Sequence, residues 1–141
     1  MNKQTPIAIS SQLASLKLWP RDRNPDGSVK LSVRAAGYGF SGRNPSVWIS
    51  RSDLAAFLRD LRELDRTRRG EARLESMSPG VLSMKISVID GVGHTRADLT
   101  VSRWCFARQS EHPELSFGFE FDPSDLPGIL KAFSSLQAPP A

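Results

Sequence analysis

Two stretches of this chain nearly repeat one another, and that constrains the fold more than any single motif does. Residues 15–47 lie without a gap on residues 83–115: Ser15, Lys17, Asp22, Leu31, Val33 and Pro45 meet Ser83, Lys85, Asp90, Leu99, Val101 and Pro113, while Leu18 meets Ile86 and Tyr38 meets Phe106. After four extra residues in the second copy, Ser52-Asp53-Leu54 falls over Ser124-Asp125-Leu126, Leu58 over Leu130 and Leu64 over Leu136. Each copy reads as short strands closed by a helix. The expected class is α+β: two pseudo-repeated antiparallel strand units, at about 15–66 and 71–136, each followed by one helix.

The strands are legible as alternating apolar positions bounded by turn residues. Leu16 and Leu18 stand before Pro20, Val29, Leu31 and Val33 follow Pro25-Asp26-Gly27, and Val47 and Ile49 follow Asn44-Pro45. In the second copy the corresponding runs are Leu82 to Val88, Ala97 to Val101, and Leu115, Phe117, Phe119 and Phe121, with an additional strand at 72–76. Alternation over so many segments predicts sheets with one buried and one wet face. Helices are predicted over about 52–66 and 124–136, because Leu54, Phe57, Leu58, Leu61 and Leu64 line one face, as do Leu126, Ile129, Leu130, Phe133 and Leu136. Ser124, ahead of Pro127 in the first turn, is the expected N-cap of the second helix, and by the repeat Ser52 caps the first. The same alignment makes Leu58 and Leu130 equivalent core positions.

With 141 residues, 39% of them hydrophobic, the chain suffices for one core, so a single domain over 1–141 is expected, with 138–141 as a tail. No run of about eighteen apolar residues occurs, and the first residues lack a signal-peptide pattern, which predicts no membrane association and a cytoplasmic location. The single cysteine, Cys105, rules out an internal disulfide. It falls in register with Ala97, Leu99 and Val101 and reads as a small core residue. Together with His94 and His112, both placed in loops, it forms neither a zinc-ligand spacing nor a nucleophile motif, so no catalytic residue, metal or cofactor is expected. Gly37-Tyr38-Gly39-Phe40-Ser41-Gly42 matches G-x-G-x-x-G, but a strand rather than a helix follows, so the glycines read as a turn or bulge and not as a dinucleotide site.

What remains is surface suited to binding. The net charge of +4 is concentrated near the first helix, where Arg59, Arg62, Arg66, Arg68, Arg69 and Arg73 fall within fifteen residues. Arg59, Arg62 and Arg66 share a stripe on which a phosphate or an acidic partner could dock; alternatively the stripe is a solvated face with Arg59 paired to Glu63 at i, i+4. Alternation also places Trp104 and Phe106 with Arg96, Asp98, Thr100 and Ser102, opposite the Leu99 and Val101 core face, and Trp48 out of phase with Val47 and Ile49. Aromatics on a polar face mark binding surfaces, unless a bulge near Arg103 or a second layer buries them. The candidate partner-binding residues are therefore Trp48, Arg59, Arg62, Arg66, Arg96, Arg103, Trp104 and Phe106.

The order Val47-Trp48-Ile49, Asp53-Leu54-Ala55-Ala56-Phe57-Leu58, Gly70-Glu71-Ala72-Arg73-Leu74-Glu75, Gly93-His94, Leu99-Thr100-Val101 and Phe119-Glu120-Phe121 resembles the WapI-type immunity proteins and a related family of uncharacterised bacterial domains, over roughly residues 15–136. The resemblance implies a small, non-catalytic cytoplasmic protein that binds and neutralises a toxin domain. Two strand-meander-plus-helix copies with a basic balance also resemble PUR-type and whirly-type single-strand nucleic-acid-binding domains. That resemblance implies nucleic acid as the partner, held by a cationic, aromatic-bearing strand face for which Arg96, Arg103, Trp104 and Arg108 are the candidates.

Overall fold

A computed structural model describes residues 5–103 and 111–137. Its elements are β1 (Ile7–Ser10), β2 (Ala14–Arg23), β3 (Val29–Gly37), β4 (Phe40–Ile49), α1 (Arg51–Thr67), β5 (Glu71–Glu75), β6 (Leu82–Val88), β7 (Thr95–Ser102), β8 (Glu114–Phe121), a short 3-10 turn (Pro123–Asp125) and α2 (Leu126–Ser134). Strands β1 to β4 form one antiparallel sheet in sequence order and β5 to β8 form a second with the same meander. The α+β architecture of two strand units, each followed by a helix, is the expected one.

The pairing registers refine the repeat. Leu18 pairs with Val33, whereas Ile86 pairs with Ala97. With Leu18 held over Ile86, the counterpart of Val33 is Ala97 and not Val101, so the gap-free superposition of residues 15–47 on 83–115 breaks at the first hairpin. Side-chain direction alternates with period two, so a slip of four residues keeps the same faces inward and leaves no trace in the hydrophobic pattern. The first unit also has an unanticipated opening strand: Ile7 and Ile9 of β1 are buried, with Ala8 and Ser10 exposed between them.

Two prolines lie inside strands instead of ending them. β1 pairs with β2 only as far as Leu18, which leaves Pro20 on an open edge where its missing amide hydrogen costs no ladder bond; the register then shifts between Pro20 and Asp22. Pro45 occupies the shift between Leu31↔Val47 and Val33↔Asn44, where β4 carries the extra residue of a bulge.

The inward faces of both sheets and the apolar stripes of both helices share one core, with Leu16, Leu18, Leu31, Val33, Leu74, Leu82, Ile86, Phe57 and Phe133 withdrawn from solvent. The helices are exchanged between units: α1, which follows the first sheet, packs chiefly on β5 of the second and on α2, while α2 packs on α1 and on β1 of the first. Phe57 and Phe133 meet edge to face between the helices, ring centroids 5.0 Å apart at 74°. The sheets touch where β4 crosses β7 and β8. Leu130 is only half-buried, unlike Leu58, because on α2 the core-facing line is Leu126, Ile129 and Phe133.

The helix starts differ from expectation. α1 begins at Arg51, and the cap is Ser50, whose hydroxyl accepts the Asp53 backbone N–H at 3.1 Å. Before α2 it is Asp122, not Ser124, that caps: its carboxylate accepts the Ser124 N–H (2.9 Å) and hydroxyl (2.8 Å), and those bonds hold it below the usual carboxylate range. Ser50→Ala is expected to lower stability by about 1 kcal/mol, and Ser52→Ala by less than about 0.5 kcal/mol. Chemical denaturation of the two variants checks the assignment, and the reverse order would return the cap to Ser52.

Candidate partner-binding surface

The outward face of the first sheet is built by the alternation that buries its other face. In β2, β3 and β4 the outward positions bring Lys17 opposite Arg34, and Arg34 opposite Arg43, so three exposed cations lie in one row across three strands. Along the same face Trp19 stands opposite Ser32, and Trp48 opposite Lys30; both tryptophans are half-buried. Among the described residues no carboxylate lies within 4.0 Å of Lys17, Lys30, Arg34 or Arg43. Asp22, paired with Lys30 at the far end of the sheet, spends its carboxylate on the Arg23 backbone N–H at 2.8 Å.

At the other end of this face the β3–β4 hairpin turns through Tyr38 and Gly39, with φ of 56° and 85°. Two consecutive left-handed residues between the paired Gly37 and Phe40 are the geometry of a type I′ turn, which matches the twist of the flanking strands. The glycine-rich run therefore serves a hairpin, as expected. A tyrosine in that conformation is strained. Its ring meets Phe117 of β8 edge to face at 6.0 Å, and its hydroxyl lies 3.4 Å from the Gly118 carbonyl oxygen, so the tip is held against the second sheet. The turn leaves Phe40 68% and Tyr38 53% exposed, beside Leu13 of the β1–β2 turn at 68%. Large apolar side chains clustered this openly at one end of a sheet are an observation that needs an explanation.

Phe40 also lines a groove of about 380 Å³ between the sheets, whose other walls include Arg43, Arg103, Pro113, Glu114 and Leu115. Asn44, 8% exposed, follows Arg43 of that wall in β4. Its side-chain amide donates to the Ser102 carbonyl at 2.8 Å, tying β4 to β7, and its oxygen accepts the Ser46 N–H at 2.9 Å across the bulge.

The second sheet presents a different outward face. Two of its outward cations are paired, Arg73 with Glu71 and Arg96 with Asp98 at 3.0 Å, the latter pair lying over Gly118, while Lys85, between Arg73 and Asp98 on the neighbouring strands, has no carboxylate within 4.0 Å among the described residues. Ser83 donates to Glu75 at 2.6 Å. In the loop before β7 the Asp90 carboxylate holds His94, raising the imidazole above its ordinary value while itself held low by His94. Among the described residues no three His, Asp or Glu side chains gather as a metal site would require, and no helix is long and apolar enough to cross a membrane.

The residues named from sequence do not converge. Arg59, Arg62 and Arg66 are exposed on α1, where Arg59 pairs with Asp60 at 3.5 Å and Arg66 with Glu63; the expected Arg59–Glu63 pair is not formed. Arg96 is engaged on the outer face of the second sheet. Trp48 stands on the outer face of the first, and Arg103 lines the groove with Arg43. Trp104, Phe106, Arg108 and Cys105 lie outside the described residues. Sequence reasoning passed over Lys17, Arg34 and Arg43, which only the strand register unites, and Leu13, Tyr38 and Phe40, whose signal was two aromatics flanking Gly39.

A two-sheet, two-helix α+β protein with an exposed apolar hairpin tip beside an uncompensated row of cations has the features of a binding protein. Its fold is shared with WHY1 from Arabidopsis thaliana, whose crystal structure is similar with a TM-score of 0.58 over 96% of this chain and 84% of that one, at 11% sequence identity. The family model described as the immunity protein WapI-like family matches residues 7–138, and the chain belongs to that family. No curated protein gives a significant match.

Proposed function

We propose that this protein is a non-catalytic immunity protein of the cytoplasm that binds a cognate toxin domain and blocks it by occlusion. The observation that carries the reading is the family match across residues 7–138, which spans both sheets and both helices. The exposed tip supports it: an aromatic held rigidly by its turn loses little conformational freedom on binding, and aromatics and arginines are the residue types that dominate interface energetics. Phe40 and Tyr38, with Arg43 and Arg103 along the adjoining groove, are the anchors we assign. Trp48 lies with Arg43 on the outward face of the first sheet, and the arginine stripe of α1 is the alternative anchor.

The test uses the toxin domain encoded beside this chain. Purified wild-type protein should bind it with one-to-one stoichiometry by calorimetry and protect cells that express it. Phe40→Ala, a change at an exposed position that should leave thermal unfolding unaltered, should weaken binding at least tenfold, the size of an interface hot spot. Absence of both binding and protection by the folded wild type would overturn the proposal. Tight binding of a single-stranded oligonucleotide with a steep salt dependence, in place of toxin binding, would favour the nucleic-acid reading.

A further inference from the structure

We infer that the outward face of the first sheet is the docking surface, and that the partner meets Lys17, Arg34 and Arg43 with an acidic surface of its own, while Phe40 seats at the rim as an apolar anchor. The inference rests on the immunity reading and adds to it the face used and the chemistry of the partner. Like charges directly opposite one another across strands are destabilising, and here the strand register places Arg34 between two of them. On the second sheet the outward arginines at 73 and 96 have carboxylate partners; on the first sheet none of the three has one among the described residues. Lys85 of the second sheet forms no ion pair either, but Asp98 stands opposite it, whereas no carboxylate stands opposite any of the three on the first sheet, and such a row is a site for anions supplied from outside.

The shape of the patch selects among anions. Three adjacent strands span only about 10 Å from Lys17 to Arg43, at the ordinary strand spacing. At the Lys17 end the next strand contributes Ala8, and beyond Arg43 the sheet ends. A compact cluster of two or three carboxylates matches that span. The rim is apolar, with Leu13 and Phe40 each 68% exposed, and in a protein that belongs to an immunity family such a rim suits packing against a protein surface. An acidic protein surface is the occupant that fits.

Arg34→Glu and Arg43→Glu should each weaken binding of the neighbouring toxin domain at least tenfold, chiefly through slower association, and should flatten its dependence on salt. Lys131→Glu, an equal change of charge at an exposed position on α2, should stay within about twofold of wild type. Arg34→Gln should melt at the wild-type temperature or a few degrees above it, since it removes only repulsion. If wild type binds the toxin and both reversals bind equally well, the face is wrong while the immunity reading stands. A melting temperature for Arg34→Gln several degrees below wild type would show that Arg34 is matched within the fold, which also overturns the inference. So would a thymidine oligonucleotide that binds in the wild type and is lost in the reversals, since the row would then serve phosphates. If wild type binds no toxin at all, the immunity reading fails and this inference falls with it.

Discussion

Leu58→Asp is expected to leave the chain unfolded at room temperature, with no cooperative melting transition in circular dichroism. Leu58 is fully withdrawn from solvent on α1, in the stripe with Leu54, Phe57, Leu61 and Leu64 that meets β5 and α2. Truncating a leucine at such a site costs about 2–5 kcal/mol through lost burial and a residual cavity. An unpaired carboxylate buried in this apolar stripe adds several more, and the group can escape that cost only by taking up a proton. The sum is comparable to the whole stability of a domain this size, about 5–15 kcal/mol. Leu130→Asp should behave differently even though the repeat places Leu130 over Leu58. Half-buried on α2, it can turn a carboxylate to water, and a cost of about 1–2 kcal/mol with a folded protein is expected. Equal unfolding by both variants would contradict the position of α2.

Asn44→Ala should lower stability by about 2 kcal/mol and the melting temperature by several degrees, a large effect for one small side chain. Asn44 is 8% exposed, and it satisfies the Ser102 carbonyl and the Ser46 N–H at once. Removing it leaves both polar groups without their partner where β4 crosses β7. Asn44→Asp separates hydrogen bonding from packing: the carboxylate keeps the shape and can still accept from Ser46, but it cannot donate to Ser102 and would face that carbonyl with a negative charge. The aspartate variant should therefore be no more stable than the alanine variant at neutral pH and should recover as the carboxyl is protonated. Wild-type stability in Asn44→Asp near pH 7 would show that the amide contributes little.

The elements were legible in the residues because each depends on local chemistry. Strands followed from alternation in runs such as Leu82 to Val88, and α1 from leucines at helical spacing. The Tyr38-Gly39 hairpin could be separated from a dinucleotide loop by the strand that follows it. Other boundaries were missed for equally physical reasons. Pro20 and Pro45 resemble strand ends until the neighbouring strand is known, since a proline is harmless on an open edge or in a bulge. Ser50 and Ser52 are chemically equal as caps, and only the φ and ψ of the first turn separate them. The binding surface was the least legible part. Lys17, Arg34 and Arg43 are far apart in sequence, and nothing in any one segment marks them.

By itself the sequence determined the α+β class, the two meander-plus-helix units, the inward residues of each strand and membership of an immunity family, because periodicity and segment order are carried along the chain. Tertiary structure decided which residues meet. It slid the second hairpin by four residues without changing its faces, and it exchanged the helices so that each covers the other unit's strands. It also set three distant cations side by side beside an exposed Phe40. Register and packing are relations between segments, settled by the free energy of the assembled core, and no local pattern encodes them.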